Sequence, residues 1–182
     1  VDVKDEEIDQ FIKRDIDARS VSLNAYERTV LNSFYDWSLD EYRSIVKGQL
    51  VKRKVSFVID TEARQKAEQV LSLIQGGADF AATAKTSSDD QATKDNGGDS
   101  GTVPLNGFDP NGLIAAAQKL EPGQLSGLIE GVDGYYFMQL VEKHKDSVHY
   151  KVIKVSLTAF DTRFNELRAN GKIKEYISVA KQ

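Results

Sequence analysis

The chain has 182 residues, with 24 Lys or Arg against 28 Asp or Glu and a formal net charge of −4. It contains no cysteine, which excludes disulfides, thiolate metal sites and a cysteine nucleophile. A cysteine-free chain also suits export, because it cannot mispair in an oxidising space. The interleaved acidic and basic residues lack the basic face that nucleic-acid binding needs, and no apolar run approaches the ~18 residues of a membrane span.

From Val3 to about Ile16, apolar residues at Ile8, Phe11, Ile12 and Ile16 define one helical face. Asp5, Glu6 and Glu7 stand near its positive N-terminal end. Ser22 is a candidate N-cap for a second helix over about Leu23 to Phe34, striped by Tyr26, Val30, Leu31 and Phe34. Ser38-Leu39-Asp40-Glu41 is a capping box, in which hydroxyl and carboxylate each satisfy an orphan backbone N–H. It opens a third helix carrying Leu39, Tyr42, Ile45, Val46 and Leu50. Such short amphipathic helices must pack on one another or on another element. The basic cluster Lys47, Lys52, Arg53 and Lys54 reads as a solvated helix end.

Lys54 to Ile59 has the β-branched and aromatic content of a strand. Thr61 then caps a helix to about Gln75, with Ala67, Val70, Leu71 and Ile74 inward, and Gly76-Gly77 ends it. A short helix over Ala78 to about Thr86 leads into a polar loop reaching Gly98. Another helix is expected over about Asn111 to Lys119, then a turn at Pro122-Gly123 and strands over Leu125–Ile129 and Tyr135–Val141. The order strand, helix, helix, strand piece, helix, strand, strand describes an α+β unit with a small, mostly antiparallel sheet and helices on its faces. A linker over Glu142 to Val148 precedes one more strand, Tyr150 to Leu157, similar in pattern to Lys54–Ile59. A helical tail carries Phe160, Phe164, Leu167, Ile173, Tyr176, Ile177 and Ala180, interrupted at Asn170-Gly171.

Gly77-Ala78-Asp79-Phe80, Ala84-Lys85, Ser88-Asp89-Asp90 and Gly97-Gly98-Asp99-Ser100-Gly101 resemble, in order, the motifs of parvulin-type peptidyl-prolyl isomerases. Leu120-Glu121-Pro122-Gly123-Gln124-Leu125-Ser126 resembles that family's L-x-P-G-x-[IL]-S segment, and Gly134-Tyr135-Tyr136-Phe137-Met138-Gln139-Leu140 its closing G-Y-H-I-I-x-L strand. The similarity covers about Val55 to Glu142. The opening Val3-x-Asp5-Glu6-Glu7-Ile8 and the phrase Ser38 to Arg43 resemble the N-terminal region of SurA- and PrsA-type secretion chaperones.

The resemblance implies three parts: an N-terminal helical segment over 1–53, a parvulin-like domain over 54–143, and a C-terminal strand and helix over 144–182 packing with the N-terminal segment. It further implies a proline slot built from paired histidines, a Cys or Asp, and apolar residues. Asp90 matches the Cys/Asp position. The first histidine position is matched by Phe57 and the second by Tyr136, so both histidines are replaced. Phe108 and Leu113 match the apolar slot, and Ser100 stands where a leucine is usual, making the wall more polar.

Two readings of these residues stand side by side. Phe57 and Tyr136 are core aromatics of a degenerate site, or Tyr136 supplies a hydroxyl networked to Asp90. Asp90 itself either touches substrate or closes an Asx turn on its own backbone. His144 and His149 read as solvent-exposed linker residues, and no metal or cofactor is called for.

The expected function is that of an extracytoplasmic foldase with peptidyl-prolyl isomerase activity weakened by the lost histidines. Its partners would be unfolded or extended Pro-containing polypeptides, with membrane attachment only through an anchor outside this sequence. The alternative is a catalytically inactive parvulin fold that serves as a peptide-binding or assembly module.

Overall fold

A computed structural model describes residues 1–173. Helix α1 spans Asp5–Ala18, α2 spans Leu23–Tyr26 and continues as a π-helix over Glu27–Tyr35, and α3 spans Leu39–Ile59. Ser22 accepts from the N–H of Ala25, and the Ser38–Glu41 capping box forms as its sequence pattern requires. Val3, Ile8, Ile12, Ile16, Tyr26, Leu31, Val46 and Leu50 close one apolar cluster among these helices. Arg43 is paired with Asp9 and Lys54 with Glu7, tying α3 to α1 at its surface.

The strand expected over Lys54–Ile59 is instead the last part of α3. No proline interrupts the chain after the Ser38 cap, and the lone Gly48 is tolerated, so the helix continues through 21 residues. Its β-branched residues cost at most about 0.7 kcal/mol each in a helix, and tertiary contacts offset that. Phe57 packs edge-on against Tyr135 with ring centroids 5.0 Å apart, and Arg53 donates to the carbonyl of Glu130 at 2.6 Å. Lys52 bonds Asp161 and Lys54 bonds Glu7, so part of the basic cluster also anchors other elements, while Lys47 and Lys52 stay exposed to solvent as expected.

Helix α4 spans Thr61–Gln75 and α5 spans Phe80–Ser87. The cap of α4 is Asp60, whose carboxylate accepts from Ala63 N–H; Thr61 is already helical. A single 3-10 turn at Lys94–Asn96 leads into β1, Asp99–Pro104, followed by α6, Leu113–Ala117. Strand β2 is only Ile129–Glu130, shorter than the expected Leu125–Ile129, of which Leu125 makes an isolated bridge to Gln139. Strands β3, Gly134–Lys143, and β4, Ser147–Ser156, then form a long antiparallel hairpin. The Glu142–Val148 linker is therefore mostly strand and tight turn. His149 lies within β4, half-buried, with Nε2 2.8 Å from Asp99 Oδ1, whereas His144 is exposed.

The sheet order is β1-β4-β3-β2, with every pairing antiparallel. Strand β4, expected to pack with the N-terminal segment, lies at the centre of the isomerase-like sheet. Side chains alternate across it. Tyr136, Met138 and Leu140 share one face with Val148, Tyr150 and Val152, covered by Ala117 and Leu120. Phe137 and Ile153 meet α4 and α5 on the other face through Val70, Leu71, Ile74, Phe80 and Ala84. Tyr135 and Val155 extend that second face to Ala63, Ala67 and Phe57. The result is an α+β arrangement of two helical layers around one sheet.

Helix α7, Ala159–Ala169, follows β4 and lies against α3, with Lys52 Nζ 5.0 Å from the Phe160 ring. The expected apolar positions Tyr176, Ile177 and Ala180 lie outside the described residues. Among the described residues, no helix is long and apolar enough to cross a membrane.

Candidate peptide site

The Ser88–Thr93 loop is fixed by its own polar groups and by β4. Ser88 is buried, and its Oγ accepts from the N–H groups of Asp90 and Lys154, each at 3.2 Å. Asp89 N–H donates to the carbonyl of Lys154 at 2.8 Å, and its carboxylate accepts from Ser156 N–H and pairs with Lys66. Asp90 accepts from Ala92 N–H at 3.1 Å and from the Thr93 hydroxyl at 2.8 Å. That is the Asx turn anticipated for this position.

The glycine pair after the loop has a steric cause. Gly98 has φ +83°, and a Cβ there would stand 2.6 Å from the carbonyl oxygen of Val152. This close approach lets the Gly98 carbonyl accept from Val152 N–H at 2.8 Å, joining the loop to β4 just before β1 begins. A tight backbone bend accounts for both residues.

Tyr136 is buried on the sheet face that carries α6, and its hydroxyl donates to Asp133 Oδ1 at 2.7 Å. The direct partner is thus Asp133, and the expected hydrogen-bonded network to Asp90 does not form; Asp90 acts on Tyr136 only through its charge. Lys154 Nζ bonds Asp133 Oδ2 at 2.6 Å and lies 5.8 Å from the Tyr136 ring. Burial, then the Asp133 bond, push the Tyr136 hydroxyl above the ordinary tyrosine range, so it remains a protonated donor at neutral pH. Burial resists ionisation of Asp133, but the bonds from Lys154 and Tyr136 outweigh it and hold the carboxyl below its usual range.

Tyr150 lies on the same face, and burial, then the charges of Asp109 and Asp90, push its hydroxyl up to about 12. Its backbone N–H donates to Ser100 Oγ at 3.2 Å, while Ser100 donates to the Gly101 carbonyl. The Ser100 hydroxyl is therefore engaged with backbone. Leu113 is half-buried against this cluster, and Asp109 accepts from the N–H groups of Leu113 and Ala115 to start α6. Phe108 is 72% exposed.

Phe57 is not part of this face. It packs with Tyr135, and consecutive residues of β3 point to opposite sides of the sheet. The structure thus gathers Asp90, Tyr136, Ser100 and Leu113 around one side and leaves Phe57 behind the other. Sequence reasoning missed Asp133 and Lys154. Asp133 precedes the Gly134 turn and reads as a turn residue, and Lys154 lies on a strand assigned to another module. A cleft of about 560 Å³ beside α6, lined in part by Ala116, Leu120, Leu125, Ser126 and Ile129, contains none of Asp90, Asp133, Tyr136 and Lys154. The polar groups, rather than this cleft, mark the candidate site.

Rotation about an Xaa-Pro amide breaks no bond and needs no nucleophile. An apolar seat for the proline ring and polar groups that favour the twisted amide suffice. Half-buried Leu113 offers apolar surface near two carboxylates and an ammonium, while Tyr136 and Tyr150 are buried in that face.

Residues 54–142 match the family model described as rotamase, PPIC-type PPIASE domain. Over that segment, just under half of the chain, the protein is similar to PPIC-type peptidyl-prolyl isomerase domains. The chain is 32% identical over 143 residues to the foldase protein PrsA of Streptococcus sanguinis (strain SK36), covering 73% of this chain and 39% of that protein. It is 30% identical over 117 residues to the foldase protein PrsA of Clostridium kluyveri, covering 60% of this chain and 33% of that protein. Similarity to the chaperone SurA of Bordetella pertussis is 36% over 80 residues, 44% of this chain and 15% of that one. The chain thus spans 33–39% of these foldases and less of the chaperone. A solved structure of peptidylprolyl isomerase (PrsA) from Bacillus anthracis superposes with a TM-score of 0.34 at 21% identity, over 92% of this chain and 79% of that one.

Proposed function

We propose that the protein is an extracytoplasmic folding factor that binds extended Pro-containing segments at the Tyr136 face and accelerates Xaa-Pro rotation. The observation that carries this reading is the placement of Asp90, Asp133 and a buried, protonated Tyr136 hydroxyl on one side of the sheet of a domain similar to the PPIC type. The foldase and chaperone names of its relatives support the folding role. A thousandfold acceleration requires only about 4 kcal/mol of differential stabilisation, a magnitude within reach of a polar surround and an apolar seat. Exchange spectroscopy on Xaa-Pro peptides, with wild type and Asp90→Ala, tests it. Wild type should accelerate rotation and Asp90→Ala should slow it; an uncatalysed rate across several residues before proline sinks the catalytic reading.

A second reading, a peptide-binding or assembly module without turnover, is favoured by one observation. Both Asp90 oxygens are already bonded within their own loop. Binding of Pro-containing peptides to the Tyr136 face with no change in rotation rate would select it.

A further inference from the structure

We propose that Lys154 is a positioning residue of the peptide site, supplied by a strand that lies beyond the family-matched segment. This rests on the reading of the Tyr136 face given above. The matched segment ends at residue 142, yet the sheet is incomplete without Ser147–Ser156, which pairs with both β1 and β3.

The sequence itself marks the substitution of one segment by another. Lys54-Val55-x-x-Val58-x-x-Thr61 is followed by Lys151-Val152-x-x-Val155-x-x-Thr158, and a helix begins at or just after each threonine. The first copy ends α3 and the second is the central strand. In this alignment Lys154 falls at the place of Phe57. The two copies also end at the same point of the fold, because Asp60 Oδ2 accepts from Thr158 and Ala159 N–H at 2.6 and 2.9 Å. The later copy therefore does what the earlier one has the composition to do, and it places a lysine directly across from Tyr136 in the β3–β4 register.

Lys154 joins the two halves of the site. Its backbone N–H and carbonyl hold Ser88 Oγ and Asp89 N–H, fixing the loop that carries Asp90. Its ammonium, with the side chain only 17% exposed, holds the carboxylate that takes the Tyr136 hydroxyl. Asp133 is itself exposed, but the two donors, one on each carboxylate oxygen, favour one orientation of it. Removing the ammonium frees Asp133 to turn and loosens the restraint it places on the Tyr136 hydroxyl, which keeps its contact with Asn111. The lysine need not touch the peptide to matter for its rotation.

The test uses the full chain with Lys154→Met, Lys154→Arg and, as a control on the opposite sheet face, Lys151→Met. Two quantities are followed: the Asp133 carboxyl titration by carbon NMR, and the rotation of an Ala-Pro tetrapeptide by exchange spectroscopy. Lys154→Met should move the Asp133 titration upward and lower kcat about tenfold with KM within about twofold, the pattern of an interaction that counts in the transition state. Lys154→Arg should keep most of the rate, and Lys151→Met should match wild type. Should Lys154→Met fail to fold, Lys154→Gln carries the same two readouts. An unmoved titration with an unchanged kcat overturns the inference, as does a loss no greater than that of Lys151→Met. A wild type that neither binds nor rotates the peptide instead overturns the function proposed above, and the Asp133 titration still decides whether Lys154 positions that carboxylate.

Discussion

Asp60 Oδ2 accepts the backbone N–H of Thr158 at 2.6 Å, while the other carboxylate oxygen caps α4 at Ala63. One buried side chain thus fixes the start of the helix after α3 and the start of the helix after β4. Burial opposes its ionisation, but the N–H groups of Ala159, Thr158 and Ala63 outweigh it and hold the carboxyl below the ordinary range. Asp60→Ala leaves these buried donors unpaired and should cost about 3 kcal/mol, read as a lower denaturation midpoint with unchanged slope. The contribution is fully present above the unfolded-chain value near ~4 and is lost as pH falls through the lower folded value. The gap between wild type and Asp60→Ala should therefore narrow in acid.

Gly98→Ala should be among the most damaging single-atom additions in the domain. It forces a side chain into φ +83° and sets a Cβ 2.6 Å from the Val152 carbonyl oxygen. The expected loss is about 3 kcal/mol, with faster hydrogen exchange at Val152 and along β1. Unchanged thermal unfolding would show that the bend relaxes without cost.

Tyr136→Phe removes one hydroxyl and leaves Asp133 bonded to Lys154. Stability should fall by about 1 kcal/mol, and rotation should slow while peptide affinity is retained. Because the Tyr136 hydroxyl titrates above its ordinary range, the wild-type rate should show no loss from tyrosine ionisation below about pH 10.

The helical cluster around Leu31 and the sheet are separate cores joined through α3. Leu31→Ala should cost about 3 kcal/mol and lower exchange protection in α1 and the first half of α3. Amides of β3 should keep their protection. Equal loss in both regions would show instead that the two cores open together.

Lys52→Ala tests the seat of α7. An exposed pair with Asp161 contributes under about 1 kcal/mol, so global stability should barely move. Amides of α7 should exchange faster, and added salt should produce the same effect in wild type.

Much of this architecture is legible locally. The Ser38 box, the Gly76-Gly77 stop and the Ser88–Gly101 loop each have a short-range cause that sequence spacing reveals. Lys54–Ile59 is the instructive failure. Its strand-like composition is real, but a helix already begun at Ser38 has nothing to stop it, and β4 occupies the sheet. Local propensity was overridden by a competitor almost a hundred residues away. The site suffers the same limitation: Asp90 is visible through its motif, whereas Asp133 and Lys154 become partners only when β3 and β4 pair. Phe57 fell on the wrong side for the same reason.

The central position of β4 also sets an order of events for a chain that emerges N-terminus first. The cluster of α1 through the first half of α3 needs only the opening stretch and can form early. The sheet must wait, since β1 and β3 touch each other only through a strand that is made after both. Until residue 156 is free, Met138, Leu140 and Phe137 lack their neighbour and present apolar surface. During that interval the protein is itself a client in need of protection from aggregation.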